Sequence, residues 1–376
     1  MLDYITMRGD LTFEQSDFNS VDALILCQLT YNNVDGLVSS DFKQKITIEE
    51  LSNLFESAKN YEERCNMGAM INVLTPQVLQ AAAKSRRFSK IRVSGFINKI
   101  DEKIIEQFCA VTYQIQKDRY VVVLRGTDDT IAGWYEDFNL GWMDEIPSQK
   151  DACTYLHDAM TKLKGRFILA GHSKGGNLSV KAAMSVPQKS NNRLEAVYNF
   201  DGPGFFAPAY RTPGYLAVKD RIFSYYPKFC VVGMMFEHPK QYKIVESFAD
   251  GILQHDPLSW SVLGPQFEAA PDFDEASGIF SSSFNDWAAK LEPLERKRFI
   301  DTIFDVIYAS GAKTNYEIDQ NKIVCGGKMI ARLAELSDSD RKAFVHAIKI
   351  FVKVAKDNIP MFSVFKPSLP LTRQFL

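Results

Sequence analysis

The sequence predicts an α/β domain, with a mostly parallel sheet flanked by helices, followed by a helical C-terminal lobe. Three observations carry this. Between about residues 90 and 225, short apolar and β-branched runs alternate with helical stretches, the pattern of parallel strands joined by covering helices. One of these runs enters a glycine-rich turn that leads directly into a helix. After about residue 270 the strand-like runs give way to helical patterns. At 376 residues the chain exceeds the roughly 250–300 at which a single core stops growing, so we divide it at 1–270 and 271–376.

Taken in order, residues 1–90 read mainly as helix. The apolar stretch 22–31 begins with Asp22 as a capping-type residue. The stretch 47–57 opens with Thr47-Ile48-Glu49-Glu50, a helix start signal, and 75–86 carries Pro76 at an early helical position. Strands are expected at 91–97, 106–115, 120–125, 166–170, Leu194–Phe200 and 220–225, with Tyr242–Val245 the last. Helices are expected at 154–163 and 176–184. The lobe should contain helices at 281–290, 292–310, 328–336 and 338–355, the last with an apolar face of Val345, Ile348, Ile350, Phe351 and Val354.

Composition narrows the function. There are 44 basic and 46 acidic residues, a net charge of −2, which gives no support for a nucleic-acid partner. The six cysteines, Cys27, Cys65, Cys109, Cys153, Cys230 and Cys325, include no C-x-x-C pair, so neither a zinc site nor a disulfide scaffold is expected. Charges interrupt the first residues where a signal peptide would be apolar, and no run approaches 18 apolar residues. We therefore expect a cytoplasmic protein without a membrane span, and no metal or organic cofactor.

The turn reads Gly171-His172-Ser173-Lys174-Gly175-Gly176, entered by Phe167-Ile168-Leu169-Ala170 and left by Asn177-Leu178-Ser179-Val180. Chance alone gives roughly 0.1 matches to G-x-S-x-G in such a chain, so the strand–turn–helix context decides its meaning. A serine on so sharp a turn exposes its Oγ at the sheet's carboxyl edge. The glycines let neighbouring backbone approach. The first N–H groups of the following helix point at the place where negative charge develops in acyl transfer. The turn is thus a nucleophile elbow of the α/β-hydrolase type. The bland alternative, a phosphate-binding turn, normally uses glycine spacings absent here.

Upstream, Tyr120-Val121-Val122-Val123-Leu124 runs into Arg125-Gly126-Thr127, followed by Trp134 and Asp137 on a short helix. Together with the elbow, this resembles the class 3 (fungal-type) lipase group. That resemblance implies an oxyanion hole formed by Thr127 and the backbone N–H of Lys174. Trp134 reads as packing and Arg125 as a structural ion-pair partner. The chain is more closely similar to a bacterial family of uncharacterised lipase-like proteins. That similarity rests on Met7-Arg8-Gly9-Asp10-Leu11-Thr12-Phe13, residues 22–31, Phe200-Asp201-Gly202-Pro203-Gly204 and Gln254-His255-Asp256-Pro257. It implies the fold and a triad but no particular substrate.

The serine needs a base. His172 should point away from it, and His157 and His346 sit on helices. His255 and His238 remain. His255 follows the last strand on a loop and matches the position that the resemblance implies, so it is the expected base, with His238 as the alternative. The lipase pattern also places an acid beyond the strand at 220–225, but this sequence reads Tyr225-Tyr226-Pro227-Lys228-Phe229-Cys230 there. Asp201, at the end of the preceding strand, is the substitute. It is equally readable as a cap of the Gly-Pro-Gly turn. Asp256, Glu237 and a histidine oriented by a carbonyl stay open.

These readings converge on hydrolysis of a small-molecule or lipid carboxylic ester through an acyl-enzyme. Acyl transfer or thioester cleavage at the same site, or a non-catalytic binding protein on the same fold, are the rivals. The apolar stretch 229–236 is read as either an acyl-pocket wall or buried core.

Overall fold

The computed structural model describes residues 1–239 and 241–358. Eight strands form one sheet in chain order: β1 (Ile46–Thr47), β2 (Arg92–Asp101), β3 (Glu106–Gln116), β4 (Arg119–Leu124), β5 (Arg166–His172), β6 (Leu194–Phe200), β7 (Ile222–Pro227) and β8 (Tyr242–Val245). β1 to β4 pair antiparallel, and β4 to β8 pair parallel. The mostly parallel sheet flanked by helices is the fold class that the sequence predicts, and a helical C-terminal region follows it.

Alternation along the strands builds two cores, one on each face. Val121, Val123, Ile168 and Ala170 point to the face covered by Leu24, Leu26, Val78 and Leu79 of the N-terminal helices. Val122, Leu124, Phe167 and Leu169 point to the other, against Leu156 of helix Pro147–Lys162 and Leu178 of helix Lys174–Met184. Burial on both faces is why these strands read as continuous apolar runs.

The helix expected at 22–31 runs over Ser20–Leu29, and its cap is Asn19 rather than Asp22. Asn19 Oδ1 accepts from Val21 N and Asp22 N, while Asp22 Oδ2 accepts from Asn19 N, a reciprocal capping box. Asp22 is fully buried and faces Arg87, whose Nε lies 2.7 Å from Oδ1.

In the C-terminal region the helices are Glu275–Lys290, Pro293–Tyr308, Asn315–Gln320, Lys322–Glu335 and Asp338–Asn358. Ile300 and Phe304 pack on Ile131, Trp134 and Tyr135 of helix Ile131–Asn139, which follows β4. Trp134 therefore lies in a packing cluster, and this region rests against the element that carries Asp137. Residues 359–376 of the expected lobe lie outside the described residues. Among the described residues no helix is long and apolar enough to cross a membrane.

Candidate active site

The parallel register brings three strand ends to one edge. Leu124 of β4 lies opposite Gly171 of β5, and His172 opposite Phe200 of β6. The next residues in each strand's chain are Arg125, Ser173 and Asp201. Ser173 takes φ 57° and ψ −135°, a backbone conformation sparsely populated by residues other than glycine. Its N–H donates to Phe200 O at 2.9 Å, and Gly176 N donates to Ser173 O at 2.8 Å, which pins the turn. Asp201 also has positive φ, 49°, and its N–H donates to Tyr225 O at 2.8 Å.

Glycine at 126 lets the loop after β4 lie on the elbow. A Cβ there would stand 2.5 Å from His172 O and 3.1 Å from the Ser173 Cβ. This places the Arg125-Gly126-Thr127 segment beside the serine. Arg125 pairs with Asp128 at 2.8 Å, the structural ion pair read from the sequence.

His255 ends the short 3-10 turn Gly251–His255. Its Nδ1–H donates to Asp201 Oδ2 at 2.6 Å, with Asp201 almost fully buried and the imidazole 28% exposed. The structure thus brings Asp201 and His255 together. Among the described residues no hydrogen bond joins Ser173 Oγ to the His255 ring. His172 lies beneath: its Nε2–H donates to His255 O at 2.8 Å, and the two rings are 4.7 Å apart. Burial lowers the His172 pKa to about 3, and the neighbouring His255 pushes the same way. His172 is therefore neutral, and Tyr31 OH sits 3.4 Å from its Nδ1.

The alternatives are engaged elsewhere. Asp256 Oδ1 accepts from Leu258 N, and its Oδ2 accepts from Asn72 Nδ2 at 2.5 Å. The Glu237 backbone pairs with Phe205, and its side chain is exposed. His238 packs between Tyr226 and Tyr242.

On the oxyanion side, Thr127 Oγ1 donates to Asp137 Oδ2 at 2.5 Å. Lys174 sends a fully buried side chain under the elbow. Its Nζ donates to Gln107 O and Oε1 at 2.9 Å and to Glu136 Oε2 at 2.8 Å, and stands 3.6 Å from Asp137 Oδ1. Asp137 therefore links the two residues expected to form the oxyanion hole. Burial raises its pKa to about 6 against the attraction of Lys174. Sequence reasoning missed Glu136 and Gln107. The signal available was a lysine after the serine together with Glu136-Asp137 on one short helix.

In the apolar stretch 229–236, Met235 and Phe236 pack with Leu140, Met143, Ile146 and Phe206, which makes that part core. A cleft of about 610 Å³ lies at the β7–β8 edge against Tyr225, Tyr242 and Phe267, away from Ser173, Asp201 and His255.

The Mbeg1-like family model matches residues 82–305, more than half of the chain. The chain belongs to the Mbeg1-like family. No curated protein matches it. Among solved structures, this Mbeg1-like chain is similar to M37 lipase, with 13% identity and a TM-score of 0.36 over 58% of this chain and 70% of that one. It is also similar to a mutant form of MDLA from Penicillium cyclopium, with 12% identity and a TM-score of 0.37 over 70% of this chain and 88% of that one.

Proposed function

We propose that the chain is a serine hydrolase that cleaves a carboxylic ester through an acyl-enzyme. The observation that carries this reading is the 2.6 Å contact of Asp201 with His255 at the sheet edge where Ser173 sits in a strained elbow.

In this reading Ser173 Oγ attacks the acyl carbonyl and His255 Nε2 takes its proton. Asp201 holds Nδ1–H, which fixes the tautomer that leaves Nε2 free to accept, and it stabilises the imidazolium that forms. The backbone N–H groups of Thr127 and Lys174 receive the oxyanion, and the Asp137 contact orients the Thr127 hydroxyl. His255 then protonates the leaving alkoxide. Water, deprotonated by the same ring, hydrolyses the acyl-enzyme and regenerates Ser173. Neutral His172 adds no charge to this cycle.

Acyl transfer to another acceptor and thioester cleavage use the same steps with a different nucleophile or leaving group. A non-catalytic binding role is the other class of reading. Turnover of a short-chain p-nitrophenyl ester separates the catalytic readings from that binding role. Asp201→Asn should lower kcat by about four orders of magnitude, the cost of losing the acid in a triad. His255→Ala should lose activity comparably. An Asp201→Asn variant as active as the wild type overturns the assignment of Asp201. His255→Ala at wild-type rate moves the base to His238.

A further inference from the structure

Asp201 has a second oxygen, and the hydrolase mechanism does not use it. Oδ1 accepts from Cys230 Sγ–H at 2.9 Å and from Gly233 N–H at 3.1 Å. Both donors come from the loop 228–238 that follows β7. A Cβ at Gly233 would lie 2.5 Å from Asp201 Oδ1, so only glycine lets this backbone reach the carboxylate. Cys230 is fully buried, and burial together with the adjacent Asp201 raises its pKa well above the usual thiol range. The sulfur therefore keeps its proton and remains a donor.

That loop has little regular structure of its own and is held from outside. Helix Glu275–Lys290, the first of the C-terminal region, grips it with residues spaced four apart along one face. Ser277 Oγ accepts from Cys230 N at 3.0 Å and donates to Cys230 O. Ser281 Oγ donates to Met234 O at 2.9 Å. Asn285 Oδ1 accepts from Phe236 N at 2.9 Å. The family match at 82–305 runs through this helix. Polar side chains buried at a helix–loop seam need partners, and here each finds loop backbone.

We infer that helix Glu275–Lys290 is a positioning element of the catalytic pair. Its Ser277–Ser281–Asn285 face fixes the loop, and the loop presents Cys230 Sγ–H and Gly233 N–H to Asp201 as a two-donor cradle. The cradle fixes the carboxylate's rotation so that Oδ2 faces His255. It also satisfies Oδ1 with two donors, so that the carboxylate's charge is shared between its two oxygens. This inference rests on the serine-hydrolase reading. The other titratable groups facing the pair are His172 beneath the elbow and Tyr226 on β7, and both are buried and neutral.

The test compares Cys230→Val, which fills the space without a donor, with Cys230→Ser, which restores one. The expected effect of Cys230→Val is a fall in kcat of about tenfold with KM little changed, the scale of one hydrogen bond to a charged group. Its acid limb of kcat/KM should move to higher pH, because a carboxylate with fewer donors holds the imidazolium more strongly. Cys230→Ser should return both toward wild type. Ser277→Ala/Ser281→Ala/Asn285→Ala should reproduce the Cys230→Val changes. The single substitutions Ser277→Ala and Asn285→Ala carry this arm if the triple variant fails to fold. Unchanged kcat and pH profile in Cys230→Val, beside an active wild type, overturn the inference. A wild type with no esterase activity overturns the hydrolase reading instead. The downfield proton resonance of His255 Nδ1–H then still decides the cradle. It should shift in Cys230→Val and return in Cys230→Ser, and an unmoved resonance rejects the cradle.

Discussion

His172 Nε2–H donates to the backbone carbonyl of His255 at 2.8 Å, so the residue before the candidate nucleophile holds the loop of the candidate base. Burial keeps the His172 ring neutral, against the pull of this bond, which favours the protonated ring. Its pKa falls from 6.5 unfolded to about 3 folded, so the unfolded chain binds more protons below pH 6.5. The penalty is absent above about pH 7 and grows by about 1.4 kcal/mol per pH unit as pH falls from 6.5 toward 3. Glutamine donates to the same carbonyl without titrating. Between pH 7.5 and pH 5, urea unfolding of the wild type should lose about 2 kcal/mol more than His172→Gln. Equal losses contradict the assignment of a buried neutral ring.

Lys174 and Glu136 form a buried pair under the elbow, 2.8 Å apart with both side chains almost fully inaccessible. Glu136 also accepts from the backbone N–H groups of Gln107 and Ser148. Glu136→Gln leaves the Lys174 ammonium without its main counter-charge and should cost about 3–5 kcal/mol. Chemical denaturation measures this. A cost below about 1 kcal/mol, the range of exposed pairs, means that Lys174 finds solvent or another partner.

Asp137 lies between Thr127 and Lys174. With its pKa raised from 3.8 to about 6, the folded state favours the neutral form. The charged form is penalised above pH 6, and the penalty fades as pH falls toward 4. Asp137→Asn removes that charge, so at pH 8 it should be more stable than wild type by up to about 3 kcal/mol. At pH 4 the gain should vanish. Esterase activity should fall in the same variant, because Thr127 Oγ1 loses its carboxylate partner. Thermal unfolding at the two pH values, with ester turnover at pH 8, checks both halves.

Local chemistry made much of the fold legible. The β4–β6 runs were readable because both faces of the sheet are buried, and Gly171-His172-Ser173-Lys174-Gly175-Gly176 stood out because strand and helix flank it directly. Element ends were harder. Helix Glu275–Lys290 starts before 281, where Gly278 and three consecutive serines obscure the pattern. Helix Lys322–Glu335 runs through Gly326 and Gly327, two poor helix formers that hide its start and move the expected one to 328. β1 is two residues long and gives no periodicity. At the site, Asp201 was named from its position at a strand end. Its Cys230 and Gly233 donors lie about 30 residues away in sequence, and only the tertiary path of the loop after β7 joins them. The pairing of Lys174 with Glu136, 38 positions away, is hidden for the same reason.

The central claim is that Ser173 is a nucleophile, and covalent labelling with a fluorophosphonate tests it most directly. Intact-mass spectrometry should show one adduct per wild-type chain, with peptide mapping placing it on Ser173. Ser173→Ala should remain folded and unlabelled. Wild-type protein that stays unmodified under conditions that fully label a control serine esterase contradicts the account, as does an adduct that persists in Ser173→Ala.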